Sequence, residues 1–335
     1  MGRRLAIVVP DETPEAGGNW VYGARLRAVA ERLGHTATVS RVSDVRTGAD
    51  LYHALNARRA ALGLKAMGVD PFKVVVTWTG TDLEDPTPLD AAEHDFLGAV
   101  RLHTTLDRSA REDLVARYPD WGAPIRWVPP GVDYRTFAPD GDRVPLPHPA
   151  LLLVGGGRPV KGTHDAIAWV EALRASGIPA ALVLLGPARD PAYWRTVEQA
   201  VADRPWVLRP GSAPRDQMPR WYRAADIVIN TSFTEGVSNA LLEAMAAARP
   251  VVARDIAGNR HLLEPARAGR LVDGPEAFVQ ACRDLLFRPE AAAEEGRRLR
   301  RWVERHYDAA LEQRRWAAIY AEALGGTVAQ AACSG

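Results

Sequence analysis

Two carboxylates eight positions apart, Glu235 and Glu243, bracket the segment Gly236-Val237-Ser238-Asn239-Ala240, where an apolar run gives way to a helical pattern. An ionised carboxylate accepts two donors at once, which suits sugar and ribose hydroxyls. Free backbone N–H groups around Ser238, Asn239 and Ala240 would open a helix and could hold a phosphate. Taken alone, these residues read first as a helix cap at Asn239, an exposed Glu243 and a loop charge at Glu235. A second cluster, Gly155-Gly156-Gly157-Arg158-Pro159-Val160-Lys161-Gly162, follows another apolar run. Its glycines allow close backbone approach, and Arg158 and Lys161 can neutralise a diphosphate, whose departure builds negative charge. In isolation it could also be an ordinary turn with surface cations. Earlier in the chain stand Gly17-Gly18-Asn19 and, after the apolar run 74–78, Thr79-Gly80-Thr81-Asp82-Leu83. A small-residue turn ending in an acid at a strand's carboxyl end is well placed to meet a ligand.

The elements that must carry these residues follow from periodicity. Residues 5–10 form a continuous apolar run of strand length, followed by a glycine-containing loop and a helical pattern that ends at Gly34. Residues 36–42 and 74–78 read as further strands, with the Ala- and Arg-rich stretch 49–67 as a helix between them. His103 falls in the next strand and reads as a buried core or a surface residue. The Pro- and Gly-rich stretch 128–148 has no helical period and separates the two halves. The pattern then restarts with strands at 151–154, 180–185, 227–230 and 250–253 and helices at 163–176, 191–202 and 239–248. Residues 289–324 are almost continuously helical in composition. Strand and helix alternating in this way imply parallel sheets covered on both faces.

At 335 residues the chain exceeds the roughly 250–300 residues over which one core stops growing, so two domains are expected. Forty-two Lys and Arg stand against 41 Asp and Glu, which provides no global basic field for nucleic acid. The opening apolar run is too short for a signal peptide and ends at Asp11 and Glu12, and no segment reaches the ~20 apolar residues of a membrane span. Cys282 and Cys333 have no partners at metal-ligand spacing. A cytoplasmic protein is the resulting expectation. The full G-x-G-x-x-G fingerprint of nicotinamide enzymes is missing.

The segment from Glu235 to Glu243, continuing through EAMAAARPVVARDIAGNRHLLE, resembles the E-x7-E motif of retaining family-4 glycosyltransferases. The resemblance implies a GT-B α/β fold, with two doubly wound Rossmann-like domains facing a cleft. By that likeness Glu235 contacts the sugar, Glu243 the ribose, and the intervening backbone the phosphates, while Arg158 and Lys161 stabilise the leaving diphosphate. Gly157, and Gly18 in the first glycine loop, would lie against the donor. Asn19, Gly80, Thr81 and Asp82 would face the acceptor. Two residues separate Arg158 from Lys161, where many relatives have four. The RPVK and GTDL spellings, with HALNAR at 53–58, are similar to the glycosyltransferase 1 domain-containing branch, and the latter two also to selenosugar synthases. Pro130-Gly131-Val132-Asp133 with Phe137 is similar to the family's hinge signature.

The resulting division is an acceptor domain over 1–130, a linker over 131–148, a nucleotide-sugar domain over 149–305, a helix over 306–325 packing back on the first domain, and a tail over 326–335. The function implied is retaining, metal-independent transfer from a UDP- or GDP-sugar to a small-molecule or glycan acceptor, with no cofactor beyond the donor. No Asp-x-Asp pair adjoins these motifs, so no metal is expected. Two alternatives stay open: a selenosugar or thiosugar synthase with a selenium or sulfur nucleophile, and a non-catalytic sugar-nucleotide binding protein.

Overall fold

The computed structural model describes residues 2–15, 17–80, 82–83 and 85–324. The chain divides into two compact units, Met1–Pro130 with Ala310–Gly335, and Gly131–Ala309.

In the first unit, β1 (Arg4–Val9), α1 (Gly18–Arg32), β2 (Thr36–Arg41), β3 (Leu51–Leu55), α2 (Leu62–Ala66), β4 (Val74–Trp78), α3 (Ala91–Gly98), β5 (Leu102–Thr105), α4 (Arg108–Arg117) and β6 (Ile125–Trp127) follow in order. The strands form one sheet, β2-β1-β3-β4-β5-β6, with every neighbouring pair parallel. Alternate residues of β1 serve opposite faces: Leu5, Ile7 and Val9 join one core cluster, and Ala6 and Val8 the other. A strand buried on both faces reads as an unbroken apolar run, which is why β1 and β4 were legible.

The stretch 49–67 is a correction. Instead of one helix it holds β3, then a π-helical turn, Ala57–Ala61, then the short α2. Its Ala and Arg content favours helix, but Leu51–Leu55 lies between β1 and β4, where pairing on both sides outweighs intrinsic propensity. Asn56, at the end of β3, has φ 114°, an uncommon conformation for a residue other than glycine.

The second unit contains β7 (Ala150–Val154), α5 (Thr163–Ala175), β8 (Ala181–Leu185), α6 (Pro191–Val201), β9 (Val207–Gly211), α7 (Met218–Ala224), β10 (Ile227–Asn230), α8 (Asn239–Ala246), β11 (Val251–Arg254), α9 (Ala257–Leu263), β12 (Arg270–Val272), α10 (Pro275–Phe287) and α11 (Pro289–His306). Its parallel sheet runs β12-β11-β10-β7-β8-β9. The strand order reverses direction between β7 and β10, and in open α/β sheets ligands bind outside the carboxyl ends of the strands at such a switch point. Val132 and Phe137 belong to the core of this unit.

The helical stretch 289–324 breaks after α11. Val132 donates its N–H to Tyr307 O at 2.7 Å and accepts from Ala309 N at 3.1 Å, so the chain leaves helical geometry there. α12 (Ala309–Ala323) then contributes Trp316, Ile319 and Tyr320 to the core of the first unit. Tyr320 Oη lies 2.9 Å from His53 Nδ1, and His53 Nε2 lies 2.7 Å from Thr77 Oγ1. Burial lowers the His53 pKa to about 3, so the ring is neutral at neutral pH. His103 is likewise a core residue, with its pKa lowered to about 4 by burial. Its Nδ1 accepts from Trp78 Nε1 at 3.2 Å, which leaves Nε2–H to donate to Leu97 O at 2.9 Å.

Candidate active site

The loops after β7 and β10 meet at the switch point. Val154 ends β7, and Gly155-Gly156-Gly157 then runs against the segment following β8. Gly155 N donates to Leu185 O at 2.9 Å and Gly157 N to Pro187 O at 2.8 Å. A Cβ at Gly156 would stand 2.5 Å from Arg189 Cδ, and one at Gly157 would stand 2.5 Å from the Trp194 ring. Packing against the Trp194 ring therefore requires glycine at 157, whereas the flexible Arg189 side chain can give way at 156 and a Cβ at 155 would meet only ordinary contacts. Arg158 is exposed and precedes a 3-10 turn, Pro159–Lys161. Gly162 then adopts φ 60°, and a Cβ there would approach Thr231 O to 2.2 Å. Only glycine combines that backbone with that contact.

These contacts join the two loops. Thr231 Oγ1 donates between Lys161 O at 3.1 Å and Gly162 O at 2.9 Å, and Phe233 N donates to Val160 O at 2.9 Å. Lys161 and Glu235, 74 positions apart, consequently meet: Nζ lies 2.6 Å from Oε1, with side-chain exposures of 20% and 12%. The same Glu235 oxygen accepts from Ser232 Oγ at 2.8 Å and Asn230 Nδ2 at 3.3 Å. Three donors thus fix one carboxylate oxygen of Glu235.

The helix cap is Ser238, whose Oγ accepts from Leu241 N at 3.4 Å; Asn239, expected as the cap in the plainer reading, is the exposed first residue of α8. Gly236, Val237 and Ala240 lie on the same loop and first turn, with Gly236 exposed and the other two half-buried. Glu243 sits one helical turn further on, and its Oε2 accepts from Tyr222 Oη at 2.9 Å. Burial, and then the Glu243 charge, push the Tyr222 hydroxyl well above its usual pKa, so it remains a donor.

Behind the loop, Arg254 donates to Thr231 O at 2.9 Å and pairs with Asp165. Its guanidinium carbon lies 4.5 Å from the Phe233 ring centroid and 4.8 Å from that of Trp169. A Cβ at Gly258 would fall 2.0 Å from Glu235 O, so the start of α9 presses on the backbone of the site. Asn259, fully buried, donates to Asn230 Oδ1 at 3.3 Å and Arg254 O at 2.9 Å. Tyr222 and Ser232 escaped the sequence reading, and Arg254, Gly258 and Asn259 stood in the segment similar to family 4 with no role assigned to them. Their types are common on loops and helices, and only three-dimensional proximity to Glu235 or Glu243 marks them.

The residues singled out in the first unit are arranged differently. Gly18 is exposed and begins α1, and Asn19 is half-buried on its first turn. Gly80 has φ 106°, and Thr81 lies outside the described residues. Asp82 is 1% exposed, and its carboxylate accepts from Ala57 N at 2.7 Å and Thr79 N at 2.9 Å. Burial raises its pKa while these backbone donors oppose the rise. Asp82 thus ties the turn after β3 to the loop after β4, and its carboxylate is engaged inside the protein.

Residues 148–287 match the family described as "Glycosyl transferases group 1". The chain is 30% identical over 132 residues to glycosyltransferase 1 domain-containing protein 1 of Xenopus tropicalis, covering 39% of this chain and 38% of that protein. It is 32% identical over 240 residues to the D-inositol 3-phosphate glycosyltransferase of Xylanimonas cellulosilytica, covering 65% and 55%. The chain thus spans about two fifths to just over half the length of these relatives. Among solved structures, sucrose-phosphate synthase from Thermosynechococcus elongatus superposes with a TM-score of 0.81 at 18% identity, covering 96% of this chain and 99% of that one. Anabaena HepE in complex with UDP and glucose gives a TM-score of 0.71 at 14% identity, covering 96% and 100%.

Proposed function

We propose that this chain, a GT-B protein whose residues 148–287 form a group 1 glycosyltransferase domain, transfers a sugar from a nucleotide diphosphate donor held by its second unit, with retention of anomeric configuration. The observation that carries the reading is the Lys161–Glu235 pair, 2.6 Å apart at the carboxyl ends of β7 and β10. It joins a cation for a diphosphate to a carboxylate for sugar hydroxyls at the point where the strand order reverses.

The mechanism follows from charge. As the sugar–phosphate bond breaks, negative charge grows on the departing nucleoside diphosphate. Lys161, Arg158 and the N–H groups opening α8 offset it without a metal ion. Glu235, pre-oriented by Ser232 and Asn230, receives hydroxyls of the transferred sugar. Glu243, held by Tyr222, receives the ribose. A UDP-sugar is the favoured donor, because the fold shared with HepE holds UDP in that protein. Gly18, Asn19 and Gly80 belong to the first unit, which is assigned to the acceptor.

Calorimetric titration with UDP, GDP, ADP and dTDP tests the donor site, with wild-type protein beside Lys161→Ala and Glu243→Ala. One nucleotide should bind, and both substitutions should weaken it by about ten-fold or more, the worth of one charge-assisted hydrogen bond. No binding to any of the four by folded protein overturns the reading. Nucleoside diphosphate release in the presence of EDTA checks that the cations act in a metal's place.

A further inference from the structure

A cavity of about 480 Å3 in the first unit is lined by residues that no part of the donor site uses. It opens among the π-helical turn after β3, the loop after β4 and the C-terminal end of α4. Its walls combine the guanidiniums of Arg58 and Arg117 with the apolar surfaces of Leu83, Pro86 and Tyr118. The volume lies within the roughly 300–1,000 Å3 typical of small-molecule sites.

Several unusual features converge on Arg58. Asn56 holds φ 114° and accepts the Arg59 N–H at 2.9 Å. The buried Asp82 accepts the Ala57 N–H at 2.7 Å. Between them they secure a π-helical turn, a rare geometry that recurs at functional sites, as does a strained non-glycine backbone. The Arg58 side chain leaves this turn and is anchored to Thr87 O at 2.6 Å, yet its buried Nε has no hydrogen-bond partner among the described residues. Arg117 is steadied by Leu83 O at 3.4 Å. Tyr118 is held flat against Trp121, with ring centroids 4.0 Å apart and planes 4° from parallel. Against the two guanidiniums stands one acid among the described lining residues, Asp85. Its carboxyl is held below its usual pKa by Thr87 hydrogen bonds, with a smaller contribution from Arg58.

Guanidinium groups match the oxygens of phosphate and carboxylate, and the adjoining proline, leucine and tyrosine surfaces suit an organic body. We propose that this cavity is a second binding site, which takes a small organic phosphate through Arg58 and Arg117. The site is independent of nucleotide binding in the second unit and stands whether or not the chain transfers sugar.

Calorimetric titration of the full chain at constant ionic strength tests it, with glucose 6-phosphate and inorganic phosphate as probes and glucose as the uncharged control. Saturable binding of glucose 6-phosphate is expected, with none of glucose. Arg117→Gln, at an exposed position, should weaken binding about ten-fold with an unchanged circular-dichroism melting curve, and Arg58→Gln should do the same if it folds. Asp85→Asn should tighten binding several-fold by removing the opposing charge, whereas Lys161→Ala should leave it unchanged. Absence of saturable binding, full affinity in Arg117→Gln, or loss of binding in Lys161→Ala would each overturn the proposal.

Discussion

At the scale of single residues, the proposed donor site is a set of acids held in place by hydrogen-bond donors. Glu235 has three donors on one oxygen, and Glu243 has the Tyr222 hydroxyl. The groups that position the acids are as open to test as the acids themselves. Replacing Tyr222 with Phe removes one hydrogen bond and little volume. Nucleotide affinity should therefore fall about five-fold, equivalent to about 1 kcal/mol, with the fold intact. Calorimetry on the folded variant checks this, and an unchanged affinity would remove Glu243 from the ribose. Lys161→Ala should lower kcat by about 10²–10³, the usual cost of one lost group that stabilises developing negative charge. Steady-state release of nucleoside diphosphate measures it.

At the scale of elements, the site depends on how closely α9 and the loop after β7 approach the loop carrying Glu235. Gly258 and Gly162 mark those approaches, because a Cβ would stand 2.0 Å from Glu235 O at the first and 2.2 Å from Thr231 O at the second. Gly258→Ala forces backbone to move, so it should displace Glu235 and destabilise the second unit by about 1–3 kcal/mol. Urea denaturation together with nucleotide titration reads both effects. An unchanged midpoint with unchanged affinity would show that the two segments separate easily. The same scale explains the misread stretch 49–67. Helix-favouring composition was real there, but a place between two parallel strands decided the conformation of Leu51–Leu55.

At the scale of the whole molecule, α12 belongs to the core of the first unit although it lies at the far end of the described chain. Trp316 and Tyr320 are fully buried there, and the Glu312 carboxylate pairs with Arg25 of α1. Trp316→Ala should destabilise this unit by about 3–5 kcal/mol, the range for emptying a large aromatic site, as followed by chemical denaturation. The buried histidines add a pH dependence of definite sign. Their folded pKa values, about 3 for His53 and about 4 for His103, lie below the ordinary value of 6.5. The unfolded chain therefore takes up protons first. Stability from neutral burial is fully present above pH 6.5 and declines as the pH falls from there toward 4, by about 1.4 kcal/mol per pH unit for each ring. Urea midpoints at pH 7 and pH 5 should differ in that direction. His53→Leu, which cannot take up the proton, should reduce the difference.

Continuous apolar runs such as Leu5–Val9, alternating with helical periods, determined that this chain forms parallel sheets covered on both sides, because only strands buried on both faces are written that way. Glycines beside cations, and glutamates flanking a helix start, determined which loops to inspect, since those residue types restrict what chemistry a loop can support. Pairings across distant segments were decided only in three dimensions. Lys161 reaches Glu235 because β7 and β10 are neighbours in the sheet, and Tyr222 reaches Glu243 because α7 packs beside α8. Asp82 looked like an acid offered to a ligand, and folding turned it inward onto Ala57 and Thr79. Linear spacing carries backbone period and residue type. Direction of a side chain and identity of its partner depend on strand order and on burial, and these belong to the folded chain.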